Sequence, residues 1–297
     1  MMQALTHDTV LSGLTTRYIG RNVTYLPRVG STNDAARALA EQGAPEGTVV
    51  VADEQTEGRG RLARRWIAPA GSSLLLSVIL YPPLAPSQAP RLTMLCSLAI
   101  VDAIEELTGL QLGIKWPNDV VVMQPPHEGN RAGHSEVGNR PPSQRKLAGL
   151  LAESSVTGPQ LAYVVVGIGI NVNLDVDALA ETAFPATSLS AELGHPMDRL
   201  ALLWAILGGI ERRYEAARDP AGGLVAVRQT AGGFLGIHRE WSLRLVTRGQ
   251  RVRVSDGGVV AEGYAEGVDE DGALLVRGAG AQLHRIAVGD VSLRPTG

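Results

Sequence analysis

The first half of the chain alternates short apolar runs with turn residues, a pattern that predicts strands, loops and two helices. Three apolar runs have the length of strands: 22–26, 48–52 and 73–80. Polar N-cap residues begin a helical stretch over 33–42, which Gly43 closes. Residues 91–107 repeat apolar positions at helical spacing and predict a second amphipathic helix.

The second half carries further strand-like segments, a helix and a series of short strands. The strand-like segments are 113–123, 146–153 and 161–174, and an amphipathic pattern predicts the last helix over 198–218. Five short alternating segments then predict a small barrel-like domain: 251–255, 259–264, 273–277, 284–287 and 291–294. Residues 124–145, rich in Pro, Gly, Asn, Ser and Arg, predict a flexible surface insertion.

Composition places the chain among globular proteins and excludes some functions. With 297 residues, 44% hydrophobic and 19% charged, it is long enough for one large domain and a small one. A net charge of -3 argues against a general nucleic-acid binder, whose footprint is normally basic. The single cysteine, Cys96, excludes an internal disulfide framework and predicts an inert core residue. No targeting or membrane-spanning segment is visible, so we expect a soluble cytoplasmic protein.

The most informative stretch follows the strand at 48–52, where Gln55 precedes a run of glycines and arginines. The run Gly58-Arg-Gly-Arg61 continues to Arg64, Arg65 and Trp66. Glycine permits a close backbone approach, and guanidinium groups suit phosphate or carboxylate, so the run predicts a mobile clamp for a small anion. A solvated basic loop and an RGG-like nucleic-acid segment are the alternatives. A single copy, without low-complexity flanks, disfavours the second.

Two further segments place charges beside apolar strands. Lys115 and Asp119 flank Trp-Pro-Asn, where proline breaks the strand; this is plain turn chemistry or a strand-end ligand site. Lys146 begins an apolar strand in which Gly149 permits close approach by a ligand. The run Gly167-Ile-Gly-Ile-Asn171 superficially resembles a dinucleotide fingerprint, but it lacks the third glycine and the following helix. We therefore reject a Rossmann site and expect a ligand ring beside these glycines.

Taken in order, five motifs closely resemble those of the biotin protein ligase family. They are Ser31-Thr-Asn33, Glu54-Gln-Thr-Glu-Gly-Arg-Gly-Arg61, Lys115-Trp-Pro-Asn-Asp119, Lys146-Leu-Ala-Gly149 and Gly167-Ile-Gly-Ile-Asn171. The resemblance extends from about residue 22 to the C-terminus. It implies an α+β fold in which a mixed sheet is flanked by helices, as in class II synthetases, with an SH3-like β-barrel at the C-terminus. We expect a catalytic domain over 1–241 and the SH3-like domain over 242–297.

The resemblance also implies a two-step, ATP-dependent reaction. Biotin and MgATP would give biotinyl-5′-AMP and pyrophosphate, and a lysine of a biotin carboxyl carrier protein domain would then displace AMP. Biotin, ATP and Mg²⁺ are thus the implied ligands, with no metal held by protein residues. The other implied properties are a monomer or weak homodimer, no membrane association and no DNA binding. The last follows because about 21 residues precede the first predicted strand, too few for a helix-turn-helix domain.

The family pattern implies roles for the matching residues of this chain. Ser31, Thr32 and Gln55 would hydrogen-bond the ureido head. Arg59 and Arg61, assisted by Arg64, would close over carboxylate and phosphates; Asn171 would lie near the adenylate. Lys146, Arg61 and Lys115 are the expected catalytic residues. The full expected binding set is Ser31, Thr32, Asn33, Gln55, Gly58, Arg59, Gly60, Arg61, Arg64, Trp66, Asn118, Asp119, Lys146, Gly149, Gly169 and Asn171.

Two other functions fit parts of the pattern. A lipoate or octanoate ligase would share the fold, but it predicts an Arg-Arg-x-Ser-Gly-Gly-Gly loop that this chain lacks. A non-catalytic nucleic-acid-binding module could use the arginine loop, and it predicts salt-sensitive binding to DNA or RNA. Neither accounts for the five ordered motifs.

Overall fold

The computed structural model describes residues 3–123, 144–176, 185–218, 233–255, 258–287 and 289–293, which form two β-sheets with helices around the larger one. The larger sheet has seven strands: Val23–Val29 (β1), Val49–Gln55 (β2), Ser73–Leu80 (β3), Leu112–Lys115 (β4), Asp119–Met123 (β5), Gln144–Thr157 (β6) and Gln160–Asn171 (β7). Their order is β1-β2-β3-β7-β6-β5-β4. Strands β1 and β2 are parallel and the other neighbours antiparallel, so the sheet is mixed, as the family resemblance implies.

Helices cover both faces of this sheet. The helices of the described residues are His7–Ser12 (α1), Thr32–Glu41 (α2), Pro90–Thr108 (α3), Leu189–Leu193 (α4), Arg199–Arg218 (α5) and Phe234–Arg244 (α6). Because side chains alternate along a strand, Leu74, Leu76 and Val78 enter the large core with α3 and α5. Ile79 faces the other way and packs with Ala36 of α2. The ligand-type motifs gather on this second face.

Three predicted elements differ from the structure. The segment 113–123 is a hairpin, because Pro117 cannot join a ladder and the chain turns between Lys115 and Asp119, which pair. The predicted strand 22–26 continues to Val29 through Pro27, which an edge strand tolerates. Helix α6 follows the helix predicted to be last. Of the predicted insertion 124–145, residues 124–143 lie outside the described residues, and the remaining two begin β6.

The second sheet confirms the small C-terminal β domain. Its strands are Arg251–Ser255 (β8), Val259–Val268 (β9), Leu274–Arg277 (β10), Leu283–Ile286 (β11) and Asp290–Leu293 (β12), in the antiparallel order β11-β10-β9-β8-β12. The five strands follow the five predicted segments closely. The architecture is therefore α+β with an SH3-like C-terminal unit.

Trp116 joins this second sheet to the hairpin between β4 and β5. Its indole Nε1 donates to the carbonyl of Gly272 at 2.8 Å, and its backbone N–H donates to Thr247 Oγ1 at 3.1 Å. The indole is almost fully buried. An ion pair between Arg91 and Asp271, 3.1 Å apart, adds a second connection at the start of α3. The C-terminal unit is thus attached directly to the Lys115–Asp119 motif.

Two other expectations concern burial. Cys96 is fully buried in α3, and burial raises the pKa of its thiol to about 12, which agrees with an inert core role. Within the described ranges, the helices lack the combination of length and apolarity that crossing a bilayer requires.

Glu211, on α5, attaches the N-terminal segment to the core. Its carboxylate accepts hydrogen bonds of 2.8–3.0 Å from the backbone N–H groups of Arg17, Tyr18 and Ile19. Burial raises the pKa of this carboxyl, but the three donors and the Arg17 charge outweigh it and hold the pKa below its usual range. The ionised carboxylate therefore stabilises the folded state.

We predict that Glu211→Gln lowers the free energy of unfolding by about 2 kcal/mol at neutral pH, because it replaces charge-assisted hydrogen bonds. The folded-state pKa lies below the unfolded-state value of about 4.3. The carboxylate's contribution is therefore present above that value and is lost as pH falls through the folded-state pKa. Urea unfolding at neutral and acidic pH measures the free energy of unfolding of both proteins. The difference between wild type and Glu211→Gln should become smaller as the pH falls. A pH-independent difference would contradict the assignment.

Candidate functional site

Three glycines form a flat floor on the α2 face of the sheet. Gly149 of β6 pairs directly with Gly169 of β7, and Gly167 lies two residues earlier on β7. A Cβ atom at Gly169 would lie 2.6 Å from the Trp66 indole, and one at Gly149 would lie 3.1 Å from it. At Gly167, a Cβ would lie 2.2 Å from Asn33 Oδ1. These positions therefore exclude side chains because other groups lie directly against the backbone.

A chain of neutral hydrogen bonds lies beside this floor. Gln55 Oε1 accepts from the backbone N–H of Thr32 at 2.8 Å and from its hydroxyl at 3.0 Å. Because a backbone N–H can only donate, the amide oxygen must face it, which leaves Gln55 Nε2 as a donor for a ligand. Ser77 Oγ lies 2.8 Å from Thr32 Oγ1 and 2.7 Å from Asn33 Oδ1. The start of α2 is thereby joined to β2 and β3.

Asn33 continues this chain to charged residues. Its amide donates to Glu153 Oε2 at 2.7 Å and to the Leu151 carbonyl at 3.2 Å. Glu153 Oε1 lies 3.5 Å from Arg59, whose guanidinium also makes two bonds of 2.6 and 2.7 Å to Asp34. The hydrogen bonds from Arg59 hold the pKa of the Asp34 carboxyl below its usual range, and those bonds raise the pKa of Arg59.

The arginine–glycine run is folded back on itself as a small hairpin. The backbone N–H of Trp66 donates to the Gly58 carbonyl at 2.8 Å, and that of Gly60 donates to Arg64 at 2.7 Å. A Cβ at Gly58 would lie 2.6 Å from the Trp66 carbonyl, so only glycine fits there. The exposed tip residue Leu62 has a φ of 51°, a conformation that is uncommon without glycine. The hairpin delivers Trp66 to the floor.

Lys146 stands at the Trp66 end of the floor. Its Nζ is 2.6 Å from Asp119 Oδ1 and 5.6 Å from the centre of the Trp66 indole ring. Lys115, at the end of β4, is only 8% exposed and is paired in register with Asp119. The indole Nε1 of Trp66 is buried and has no hydrogen-bond partner among the described residues, an energetically costly state that a ligand acceptor would relieve. Two lysines, a carboxylate and a buried donor thus converge here.

Arg61 occupies a different place from Arg59. Its guanidinium lies 5.9 Å from the centre of the Trp116 ring, on the side of the second sheet. It borders a cavity of about 260 Å³, whose other lining residues include Met94, Asn118, Ala152, Trp241 and Gly272. Arg59 and Arg61 belong to one motif but contact different parts of the fold.

The remaining expected site residues have mixed surroundings. Ser31 is buried at the N-cap of α2, yet its side chain makes no capping hydrogen bond. The side-chain amide of Asn118 donates to the Leu150 carbonyl, and that of Asn171 donates to the Thr187 carbonyl at 2.9 Å. These two amides hold the backbone around the floor. Arg64 is exposed on the hairpin.

Three residues of this site were not among those expected from the sequence: Asp34, Ser77 and Glu153. Ser77 was the hardest to find, since it lies within an otherwise apolar strand and carries no motif. A small polar residue inside a fully buried strand was the one available signal. Gly167 was expected beside a ligand ring, and its spacing of two from Gly169 implies that both lie on one face of the strand.

Comparison with known proteins identifies the family of this fold and site. Residues 25–171 match the Biotin/lipoate A/B protein ligase family, and residues 247–294 match the Biotin protein ligase C terminal domain. The chain is 33% identical over 263 residues to the Biotin--[acetyl-CoA-carboxylase] ligase of Paracoccus denitrificans, covering 87% of this chain and 95% of that protein. The chain belongs to the biotin protein ligase family. It is therefore a ligase, and its mixed sheet with an SH3-like unit is the fold of that family.

Two further similar proteins agree with this assignment. The Bifunctional ligase/repressor BirA of Bacillus subtilis is 33% identical over 273 residues, which span 92% of this chain and 74% of that protein. A structure of the biotin protein ligase from Aquifex aeolicus in complex with biotin and ATP superposes with a TM-score of 0.68. That comparison has 26% identity and covers 93% of this chain and 100% of the other.

We predict that Gly169→Ala displaces the indole of Trp66 from the floor, because the added Cβ would lie 2.6 Å from a ring carbon. Overpacking of this kind should lower the free energy of unfolding by about 1–3 kcal/mol and shift tryptophan emission. Gly208→Ala on α5 is the matched control, since its Cβ would meet only the flexible end of Arg212, at 3.4 Å. In a Trp66→Phe background, the emission change caused by Gly169→Ala should disappear. Its persistence there would contradict this geometry.

Proposed function

We propose that this ligase activates biotin with MgATP to biotinyl-5′-AMP and then transfers biotin to a lysine of a biotin carboxyl carrier protein domain. The observation that carries the proposal is the difference between the two ends of the glycine floor. Along β7, Gly167 lies against the neutral network of Asn33, and Gly169 lies beneath Trp66 and near Lys146. Two residues of a strand span about 7 Å. The floor thus favours a flat ligand with a neutral hydrogen-bonding head and an anionic tail.

The ureido head of biotin suits the neutral end. A ureido group has one carbonyl acceptor and two N–H donors, and Gln55 Nε2 supplies a donor while the Thr32 and Ser31 hydroxyls supply acceptors. Ser77 and Asn33 would act on this head indirectly, by orienting Thr32. A ligand without the ureido group would leave these buried polar groups unpaired, at a cost of about 1–3 kcal/mol for each.

The carboxylate of biotin would lie at the charged end. Activation requires a carboxylate oxygen to attack the α-phosphorus of ATP, forming the mixed anhydride and releasing pyrophosphate. Both reactants are anions, so their approach requires cations that neutralise the developing charge. Lys146 is the cation nearest the floor, and Lys115 and Arg61 would act on the phosphates. Mg²⁺ would arrive with ATP as part of that substrate, bound by its phosphates, while Asp119, ion-paired with Lys146, would orient that lysine.

The second step needs access for a protein lysine. Its neutral amine would attack the acyl carbon, form the amide and release AMP, while the ammonium proton passes to solvent. Strand β6 pairs with β5 as far as Gly149, and Asn118 bonds the backbone of Leu150; beyond it, the described strands leave 151–157 unpaired on that side. A carrier domain could approach along this edge, beside the cavity at Arg61. The proposed division into a catalytic domain over 1–241 and an SH3-like domain over 242–297 places the cavity between the two.

The direct test is transfer to an acceptor. The protein is incubated with biotin, MgATP and an apo biotin carboxyl carrier protein domain, and the carrier is weighed by mass spectrometry. We expect one added biotinyl group, dependent on both biotin and ATP. Lipoate or octanoate in place of biotin should give no added mass. A competent carrier that gains no mass, or gains lipoyl instead, would refute the proposal.

We predict that Lys146→Ala lowers the rate of biotinyl-AMP formation by about 10²–10³-fold, the usual effect of removing one donor to developing charge. Arg277→Gln is the matched control, since it removes an exposed cation of the second sheet, paired with Glu266. Single-turnover release of pyrophosphate measures the step. A Lys146→Ala protein that releases pyrophosphate at nearly the normal rate would argue against this role.

A further inference from the structure

Arg59 is bound by two carboxylates from different parts of the fold. Its guanidinium meets Asp34 of α2 in a two-pronged contact of 2.6 and 2.7 Å, and it lies 3.5 Å from Glu153 of β6. Paired bonds between guanidinium and carboxylate are the strongest and most directional of the common side-chain contacts. The side chain remains 37% exposed, so part of this attraction is screened by salt.

Glu153 connects this contact to the floor. One of its oxygens faces Arg59, and the other accepts the Asn33 amide at 2.7 Å. Asn33 in turn lies against Gly167 and within 2.7 Å of Ser77 Oγ. The charge that holds Arg59 therefore also orients the neutral network. Movement of Arg59 away from Glu153 would leave that carboxylate, and the amide bonded to it, less constrained.

Arg59 also lies where the hairpin contacts the rest of the fold. It is the second residue of the hairpin that begins at Gly58 and ends at Trp66, which backbone bonds close at both Gly58 and Gly60. Those bonds hold the hairpin to itself, whereas the contact with Asp34 and Glu153 attaches its base to α2 and β6. Trp66, which bonds to Gly58 at the same base of the hairpin, covers Gly149 and Gly169.

We propose that Asp34 and Glu153 form a latch that acts through Arg59 to hold the Gly58–Trp66 hairpin over the glycine floor, and so sets how long a bound ligand is retained. Asp34 and Glu153 are positioning residues in this scheme, because they act through Arg59. The latch rests on the proposed function only for the identity of the retained ligand, biotinyl-AMP.

The latch is tested first without any ligand, by limited trypsin cleavage after Arg61, Arg64 and Arg65. Cleavage of a loop that opens rapidly follows its open population, and loss of a charged pair raises that population about tenfold. We therefore expect Asp34→Asn to be cleaved about tenfold faster in the hairpin, and Glu153→Gln faster by a smaller factor. Asp34→Glu, which keeps the charge, should recover much of the protection.

Two controls separate the latch from a general loss of stability. Arg37→Gln removes the other partner of Asp34, 2.9 Å away on the same helix, without contacting the hairpin, and should leave its cleavage within about twofold of wild type. Salt should accelerate hairpin cleavage in wild type more than in Asp34→Asn, relative to a reference peptide in the same tube. Unfolding midpoints measured in parallel show whether each variant is folded.

The second arm measures retention. Preformed complexes with radiolabelled biotinyl-AMP are chased with unlabelled compound, and Asp34→Asn and Glu153→Gln should release label severalfold faster than wild type and Arg37→Gln. The latch is wrong if Asp34→Asn matches wild type in hairpin cleavage and its salt dependence. It is equally wrong if cleavage rises evenly over the whole chain and Asp34→Glu gives no recovery. If wild type neither forms nor binds biotinyl-AMP, the proposed function fails, and hairpin cleavage still decides the latch.

Discussion

The site depends on the direct pairing of Gly149 with Gly169 across β6 and β7. Antiparallel neighbours normally fill the space above a sheet with facing side chains. Two facing glycines leave that space open, and Gly167 lengthens the gap along the strand. The indole of Trp66 can then lie directly on backbone, with Lys146 beside its ring. A flat, largely buried site is thus made inside the sheet without breaking its hydrogen bonds.

The two ends of the glycine floor differ in charge. At one end, Ser77, Thr32, Gln55 and Asn33 satisfy one another through neutral hydrogen bonds. Buried polar groups of this kind are costly when unpaired, so the network also keeps its members in one arrangement. Lys146 provides positive charge at the other end. This polarity is the basis of the proposed preference for a ligand with a neutral head and an anionic tail.

The two arginines of the Gly-Arg-Gly-Arg run make different contacts. Arg59 faces inward to the carboxylates of α2 and β6, whereas Arg61 lies over Trp116, which bonds to the second sheet through Gly272. The hairpin is therefore joined to the sheet through Arg59 and, by way of Arg61 and Trp116, to the C-terminal unit. Arg61 and Gly272 also line one cavity, so the C-terminal unit is part of the surroundings of the site.

Local pattern was enough to predict much of the architecture. Strand β3, helix α3 and the five short C-terminal strands follow from apolar periodicity and turn residues, because these depend on neighbours along the chain. The ordered motifs likewise contain residues that the fold brings together, namely the three glycines of the floor, Gln55 and Lys146. Only the tertiary structure decided that Arg59 bonds to Asp34 and Glu153, that Ser77 joins the network, and that 113–123 forms a hairpin. Glu153 is 94 positions from Arg59, and such partners are chosen by strand order and register, which local sequence does not encode.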